Sequence, residues 1–293
     1  MEEKTTTIEF RLNPVWHGED TDVIVDLGYA LENGTCFAQD YQSALFLYST
    51  AAKAGNPQAI NNIGWLYANG LGVEKDLEHA VSLYEDAASR GNTIAMVNLG
   101  NVYEGGLLAG KPDYKKAFFW YREAADLGDK KGLFNVANCY HWGWGTKQNR
   151  EKAFRIFRQL FENGYTSAAF YMGLYHQEGI AIQRDYEKAL RYYWIGASED
   201  CGYCWNQLGE MYANGLGVEK DLPTALSYYR RAADLDDETA CLNLGWYYEF
   251  KKKQPDEAIR WYHKGARLGN NWCVKRLEKL EAPMEEEKPA ESI

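Results

Sequence analysis

The chain has 293 residues, 46% hydrophobic, with 22 Tyr and 10 Trp against 7 Pro; its formal net charge is -10 and its pI is near 5.1. That charge repels a phosphate backbone and no Lys/Arg-rich run offsets it locally, which excludes nucleic acid as a partner; no run approaches the roughly 20 apolar residues of a membrane span, and no basic leader precedes an apolar stretch, so the expectation is a soluble, cytoplasmic chain without a membrane partner. The six cysteines, at 36, 139, 201, 204, 241 and 273, match neither a secreted disulfide ladder nor a paired zinc site, and the single CxxC at Cys201 and Cys204 has no second pair to complete four ligands, so neither metal nor cofactor is expected.

In chain order, residues 1–21 follow no regular pattern and stay unassigned. From residue 22 the chain repeats itself. A small residue inside an NxGx-like motif recurs at Gly28, Gly64, Gly100, Ala137, Gly173, Gly209 and Gly245, in steps of 36 except for one 37 caused by an extra residue in LLAGKPD. The stretch YANGLGVEKDL at 67–77 returns letter for letter at 212–222. A fixed period of this size marks a stack of supersecondary units, none of which buries its apolar face alone.

Each unit carries two segments with helical spacing. In the second, PQAINNIGWLYAN places Ala59, Ile60, Ile63, Gly64 and Tyr67 on one side, and LEHAVSLYEDAAS does the same with Leu77, Ala80, Leu83, Tyr84, Ala87 and Ala88. The second helices are capped by Asp40, Asp76, Asp113, Asn149, Asp185 and Asp221, with Gln254-Pro255 in the seventh unit. They close at Gly55, Gly91, Gly128, Gly164 and Gly269, where Asp200 and Asp236 substitute twice.

A mid-helix glycine costs about 1 kcal/mol relative to alanine, so its recurrence implies a close neighbour. That neighbour is the second helix, with Ala44, Ala80, Ala117, Ala153, Ala189, Ala225 and Ala258. Four residues on, Tyr48, Tyr84, Tyr121, Phe157, Tyr193, Tyr229 and Tyr262 fill the wedge between the helices. YANGLGVEKDL is therefore a joint: the end of one helix, a glycine-bounded turn with a buried aliphatic residue, and the cap of the next.

On these residues the chain resembles the Sel-one-like repeat (SLR), a relative of the tetratricopeptide repeat. The NLG-type first helix, the G-x-G-V loop, the D-Y/L-x-x-A start and the AA-x-x-G close are met by NNIGWLYANGLGVEKDLEHAVSLYEDAASRG. The resemblance implies an all-α, right-handed α-solenoid of seven antiparallel helix pairs over 22–280 with a C-terminal capping helix, first helices lining a concave face, and service as a scaffold or adaptor for proteins. Two units depart from the pattern. The fourth has Ala137, Leu160 and Phe161 and should hold its helices further apart; the seventh replaces the G-x-G-V loop by EFKKKQPD and tends toward the tetratricopeptide form. Cysteines eight apart, which staple some extracellular relatives, do not occur. Residues 281–293, EAPMEEEKPAESI, read as a disordered acidic tail.

If the central small residue faces the second helix, positions two before, one after and five after it share another side. There stand Asn62, Trp65, Asn69, Asn98, Asn101, Asn135, Asn138, Trp142, Glu178, Glu210, Asn243 and Trp246. Carboxamides match the backbone of an extended peptide, and indoles give rigid apolar contact at little entropic cost. The alternative for Asn62, Asn98, Asn135 and Asn243 is a structural role between helices. His176 falls in a slot otherwise filled by tyrosine and reads as a satisfied core histidine. Cys204 and Cys273 replace alanines as core fillers, and Trp144 takes a loop position of Leu71 as packing.

Glu178 and Glu210 could meet as a carboxylate pair, but no nucleophile or oriented base accompanies them. The leading reading is thus a non-enzymatic interaction scaffold that binds a protein or peptide, as a monomer or weak homo-oligomer. The alternatives are an enzyme acting on β-lactams, as the resemblance to some bacterial SLR proteins implies, and a self-assembling repeat protein.

Overall fold

The computed structural model describes residues 18–281, and the rest of the unassigned N-terminal segment and of the expected acidic tail lies outside them. Among the described residues there is no strand. The α-helices are α1 (Gly18–Asn33), α2 (Tyr41–Lys53), α3 (Pro57–Asn69), α4 (Leu77–Ser89), α5 (Thr93–Glu104), α6 (Tyr114–Asp126), α7 (Lys130–Trp142), α8 (Arg150–Glu162), α9 (Ala169–Glu178), α10 (Tyr186–Ser198), α11 (Gly202–Asn214), α12 (Leu222–Asp234), α13 (Glu238–Trp246), α14 (Pro255–Arg267) and α15 (Asn271–Leu280). Odd-numbered helices through α13 are the first helices of the seven repeats, and α15 follows the last pair. This is the pattern of a helical solenoid. The first helix starts at Gly18 rather than 22, and Thr21 is buried, its hydroxyl accepting from Asn56 Nδ2 at 3.0 Å.

The helices gather into two compact units that divide after Gln148. The division falls between the two helices of the fourth repeat, one of the two units that depart from the sequence pattern.

Within each unit the repeats are built the same way. Asp40, Asp76, Asp113, Asn149, Asp185 and Asp221 each accept a backbone N–H at the start of a second helix, whereas Gln254 makes no such bond and Pro255 opens α14 instead. At the other end the glycines are left-handed, with φ from +79° at Gly164 to +98° at Gly269; Asp200 and Asp236 adopt +55° and +60°. The tyrosines of the second helices lie on the central glycines. In the first unit a Cβ on Gly64 would meet Tyr84 Cε1 at 2.9 Å and the Ala80 carbonyl at 3.2 Å; in the second, a Cβ on Gly209 would meet Tyr229 Cε1 at 2.6 Å. The ring itself fills the space a side chain would take.

The loops explain the second glycine of G-x-G. Gly72 and Gly217, at φ +70° and +71°, press on the preceding repeat, where an added Cβ would lie 2.7 Å from Tyr41 Cβ and 2.6 Å from Tyr186 Cβ. Trp144 does pack, stacking on Tyr114 at 5.4 Å. The seventh repeat differs from the rest, as α13 runs on through a π-helical turn, Tyr247–Lys252, and ends at Lys253 with φ +57°.

Candidate functional site

The predicted stripe divides into engaged amides and open rings. Asn98 Nδ2 donates to Asn61 Oδ1 at 3.0 Å, and Asn243 Nδ2 donates to Asn206 Oδ1 at 3.0 Å, so these amides link one repeat to the next. Asn62 Oδ1 accepts from Gln58 Nε2 and from Asn61 Nδ2. Asn69 turns back to the Trp65 carbonyl at 2.8 Å, and Asn101 Oδ1 lies 2.9 Å from the Tyr121 hydroxyl. Asn135 and Asn138 are half-buried, with Asn138 Oδ1 enclosed and unpartnered. The Asn98 and Asn243 bonds each join two first helices, whereas both Asn62 bonds stay within α3.

The indoles are different. Trp65, Trp142 and Trp246 expose 37%, 48% and 57% of their surface. Trp142 stacks on Trp144, which carries it to the Tyr114 ring. Trp246 packs edge-on against Phe250 at 5.2 Å.

In the second unit, Glu178 accepts from Gln177 Nε2 at 3.2 Å. Burial raises the Glu210 carboxyl above the usual range, a hydrogen bond from Asn243 offsets part of this, and the charges of Asp237 and Glu178 add to the rise. The two glutamates therefore lie in each other's field. His176 is half-buried and stacks on Tyr192 at 5.4 Å, but its Nδ1 is enclosed with no partner, so it is a core histidine that is not satisfied. Burial depresses its pKa. Among the described residues no group of three or more His, Cys, Asp or Glu could hold a metal ion, and no helix is long and apolar enough to cross a membrane.

Two features escaped the sequence reading. The first is a groove of about 620 Å³ between α13 and α15, lined by Leu242, Asn243, Trp246, Trp272, Lys275 and Arg276. Trp272 is 65% exposed, and Lys275 Nζ sits 4.8 Å above its ring. Arg276 is held by Glu249, with Nε 3.2 Å from Oε2, and covers Phe250. Trp272 stands in a helix beyond the seventh repeat, where alignment on the central glycine gave no register. The second is a set of tyrosine acceptors. The hydroxyls of Tyr48, Tyr121, Tyr193 and Tyr262 donate to Glu32, Glu104, Gln177 and Glu249, at 2.5 to 2.9 Å. Each acceptor stands four residues after a central glycine, and only in odd-numbered repeats. Ala68 and Ala213 hold that place in the second and sixth. An alternation of Glu/Gln with other residues every second repeat was the available signal.

Stacked helix pairs repeated at a fixed period define an α-helical repeat protein. The Sel1 repeat model matches residues 22–56, 57–92, 93–129, 130–165, 166–199, 206–237 and 239–270, and the chain belongs to the Sel1 repeat family. A Sel1 repeat protein from Oxalobacter formigenes superposes with a TM-score of 0.71 and 31% identity, over 83% of this chain and 96% of that one. The protein c5321, a protective antigen of uropathogenic Escherichia coli with an SLR fold, gives a TM-score of 0.60 and 26% identity over 89% of this chain; the match spans only 57% of c5321. Yeast Tom70, at 15% identity and a TM-score of 0.52 over 91% of this chain and 55% of its own, shares the fold alone. No curated protein gives a significant match. Repeats of this kind generally mediate contacts between proteins.

Proposed function

We propose that the protein is a non-enzymatic interaction scaffold that holds an extended segment of a partner protein along its first helices. The observation that carries this reading is the groove between α13 and α15, where two indoles, 57% and 65% exposed, flank about 620 Å³ of open space. Large exposed rings beside a pocket are where interface energy concentrates, because each removes much apolar area from water when covered. Lys275 beside Trp272 and Lys279 on the same helix outnumber Glu278 in the groove lining, which favours an apolar anchor flanked by acidic residues. In the first unit, taken by itself, Trp65 and Trp142 are further exposed rings on first helices. We place the protein in a reducing, cytoplasmic setting, in keeping with six free cysteines.

The test is selection of peptides from a displayed library on the full chain, followed by binding measurements with Trp246→Ala/Trp272→Ala and with Trp194→Ala. Trp194 is 40% exposed but lies on a second helix. The double variant should lose selected peptides by about tenfold or more, as hot-spot truncation does. Retention by the double variant together with loss in Trp194→Ala would move the site to the other helices.

A further inference from the structure

Four first helices open on amide or carboxylate caps, namely Asn56, Asn92, Asp129 and Asp237, each accepting a backbone N–H, as Asn270 does for α15. The exception with a side-chain cap is α11, which opens on Cys201. Sulfur is a poor substitute for a cap oxygen, yet Cys201 Sγ accepts the Cys204 N–H at 3.4 Å. The two thiols are also hydrogen-bonded to each other. Cys204 is completely buried, while Cys201 keeps partial access to solvent at the positive end of the helix.

A third group completes the cluster. Asp237, the cap of the next repeat, packs on Gly202, where an added Cβ would lie 3.4 Å from the Asp237 Cβ. Only 3% of Asp237 is exposed. One carboxylate oxygen accepts the Ala240 N–H at 2.6 Å and the other, Oδ2, is enclosed with no partner. A buried carboxylate oxygen with no donor is costly, and its charge opposes ionisation of the Cys201 thiol.

We propose that Cys201 and Cys204 are a reversible dithiol–disulfide couple that exchanges with low-molecular-weight disulfides of the glutathione class. The Cys201 thiolate attacks one sulfur of the disulfide; that S–S bond breaks and the first thiolate leaves, taking up a proton. Cys204 then loses its proton to solvent and attacks Cys201 Sγ in the mixed disulfide, releasing the second thiolate, which is protonated in turn. Two cysteine thiols are oxidised and one external disulfide is reduced to two thiols.

The protonation of the groups fits this order. The thiol hydrogen bond from Cys204 lowers the Cys201 pKa to about 7, with help from the Cys204 and Tyr203 N–H groups and against the opposing effects of burial and of the Asp237 charge. The same bond, together with burial, drives Cys204 upward. Burial raises Asp237 to about 6. The other charged or titratable groups near Cys201 are the Tyr203 phenol, Glu238, and Asp200 held by Arg231 at 3.0 Å. By contrast, burial pushes the Cys139, Cys241 and Cys273 thiols up to about 12, 11 and 12.

The reduced full chain is incubated with glutathione and glutathione disulfide at pH 7, alkylated, and mapped by peptide mass spectrometry. The expected product is a Cys201–Cys204 disulfide, with Cys139, Cys241 and Cys273 unmodified. Iodoacetamide should label Cys201 with a midpoint near pH 7. Cys204→Ala should stall as a Cys201–glutathione mixed disulfide; it should fold, because Ala59, Ala95, Ala168 and Ala240 fill the equivalent place. Labelling of Cys201 at pH 7 no faster than that of exposed Cys36, or a wild-type chain that stops at the mixed disulfide, overturns the proposal.

Discussion

Residues 67–77 and 212–222 are identical in sequence, and their backbones match closely, with Gly70 and Gly215 at φ +71° and +72°, and Gly72 and Gly217 at +70° and +71°. Asp76 and Asp221 cap the helix that follows in the same way. Just before the joint the two repeats part company. The position after the central glycine is an exposed tryptophan, Trp65, in the first unit and a half-buried glutamate, Glu210, with a raised pKa in the second. The cap that opens the first helix is Asn56 in one and Cys201 in the other. Turn geometry is thus a local property that eleven residues carry with them, while the character of the helix face is written residue by residue around it.

That contrast can be broken or sharpened by paired variants. The largest effect is expected for Gly72→Ala and Gly217→Ala. Each places a side chain at positive φ and against the preceding helix, and each should cost about 2–4 kcal/mol in urea unfolding. A difference of more than about 1 kcal/mol between them would show that the joint is not autonomous.

Next comes Asp237→Asn, which gives the cap beside Cys201 the amide that Asn92 provides beside Asn56. The folded carboxyl, raised to about 6, favours the protonated form, so the stability it contributes is present below the ordinary carboxylate range and lost as pH rises through about 6. The variant should therefore be more stable than wild type by about 1–3 kcal/mol at pH 8, with the gain shrinking at pH 5. An equal gain at both pH values would mean that the charge is not the cause.

Smaller and symmetric losses, about 1 kcal/mol each, are expected for Asp76→Ala and Asp221→Ala in thermal or urea melts. Trp65→Ala should change stability by no more than about 0.5 kcal/mol, since its ring is partly in water already; a larger loss would make Trp65 a structural residue and remove it from the binding face.

Much of the fold was legible because its determinants are short-range. Asp76 finds its acceptor role three residues on, Gly91 closes a helix by its own φ, and the glycine–tyrosine pairs repeat often enough for the period to expose them. The site was legible only in part. Trp65, Trp142 and Trp246 could be placed by register, but Trp272 could not, since α15 has no following helix to complete its repeat pattern. The Asn98–Asn61 and Asn243–Asn206 bonds join residues 37 apart, and no local pattern states which of two adjacent asparagines will donate. The enclosed Nδ1 of His176 is likewise a matter of what surrounds it, not of the slot it fills.

By itself the sequence determined the repeat unit, its caps, its turns and the face each first-helix residue would occupy, because backbone conformation at Gly, Pro and capping Asp is set by sterics and hydrogen bonds within a few residues. The tertiary structure decided which polar groups are shut away together: Glu210 with Asn243, the tyrosines with their glutamates, Cys201 with Cys204 and Asp237. Burial and field strength depend on neighbours contributed by the next helix or the next repeat, and these set whether a carboxyl or a thiol is ordinary or reactive.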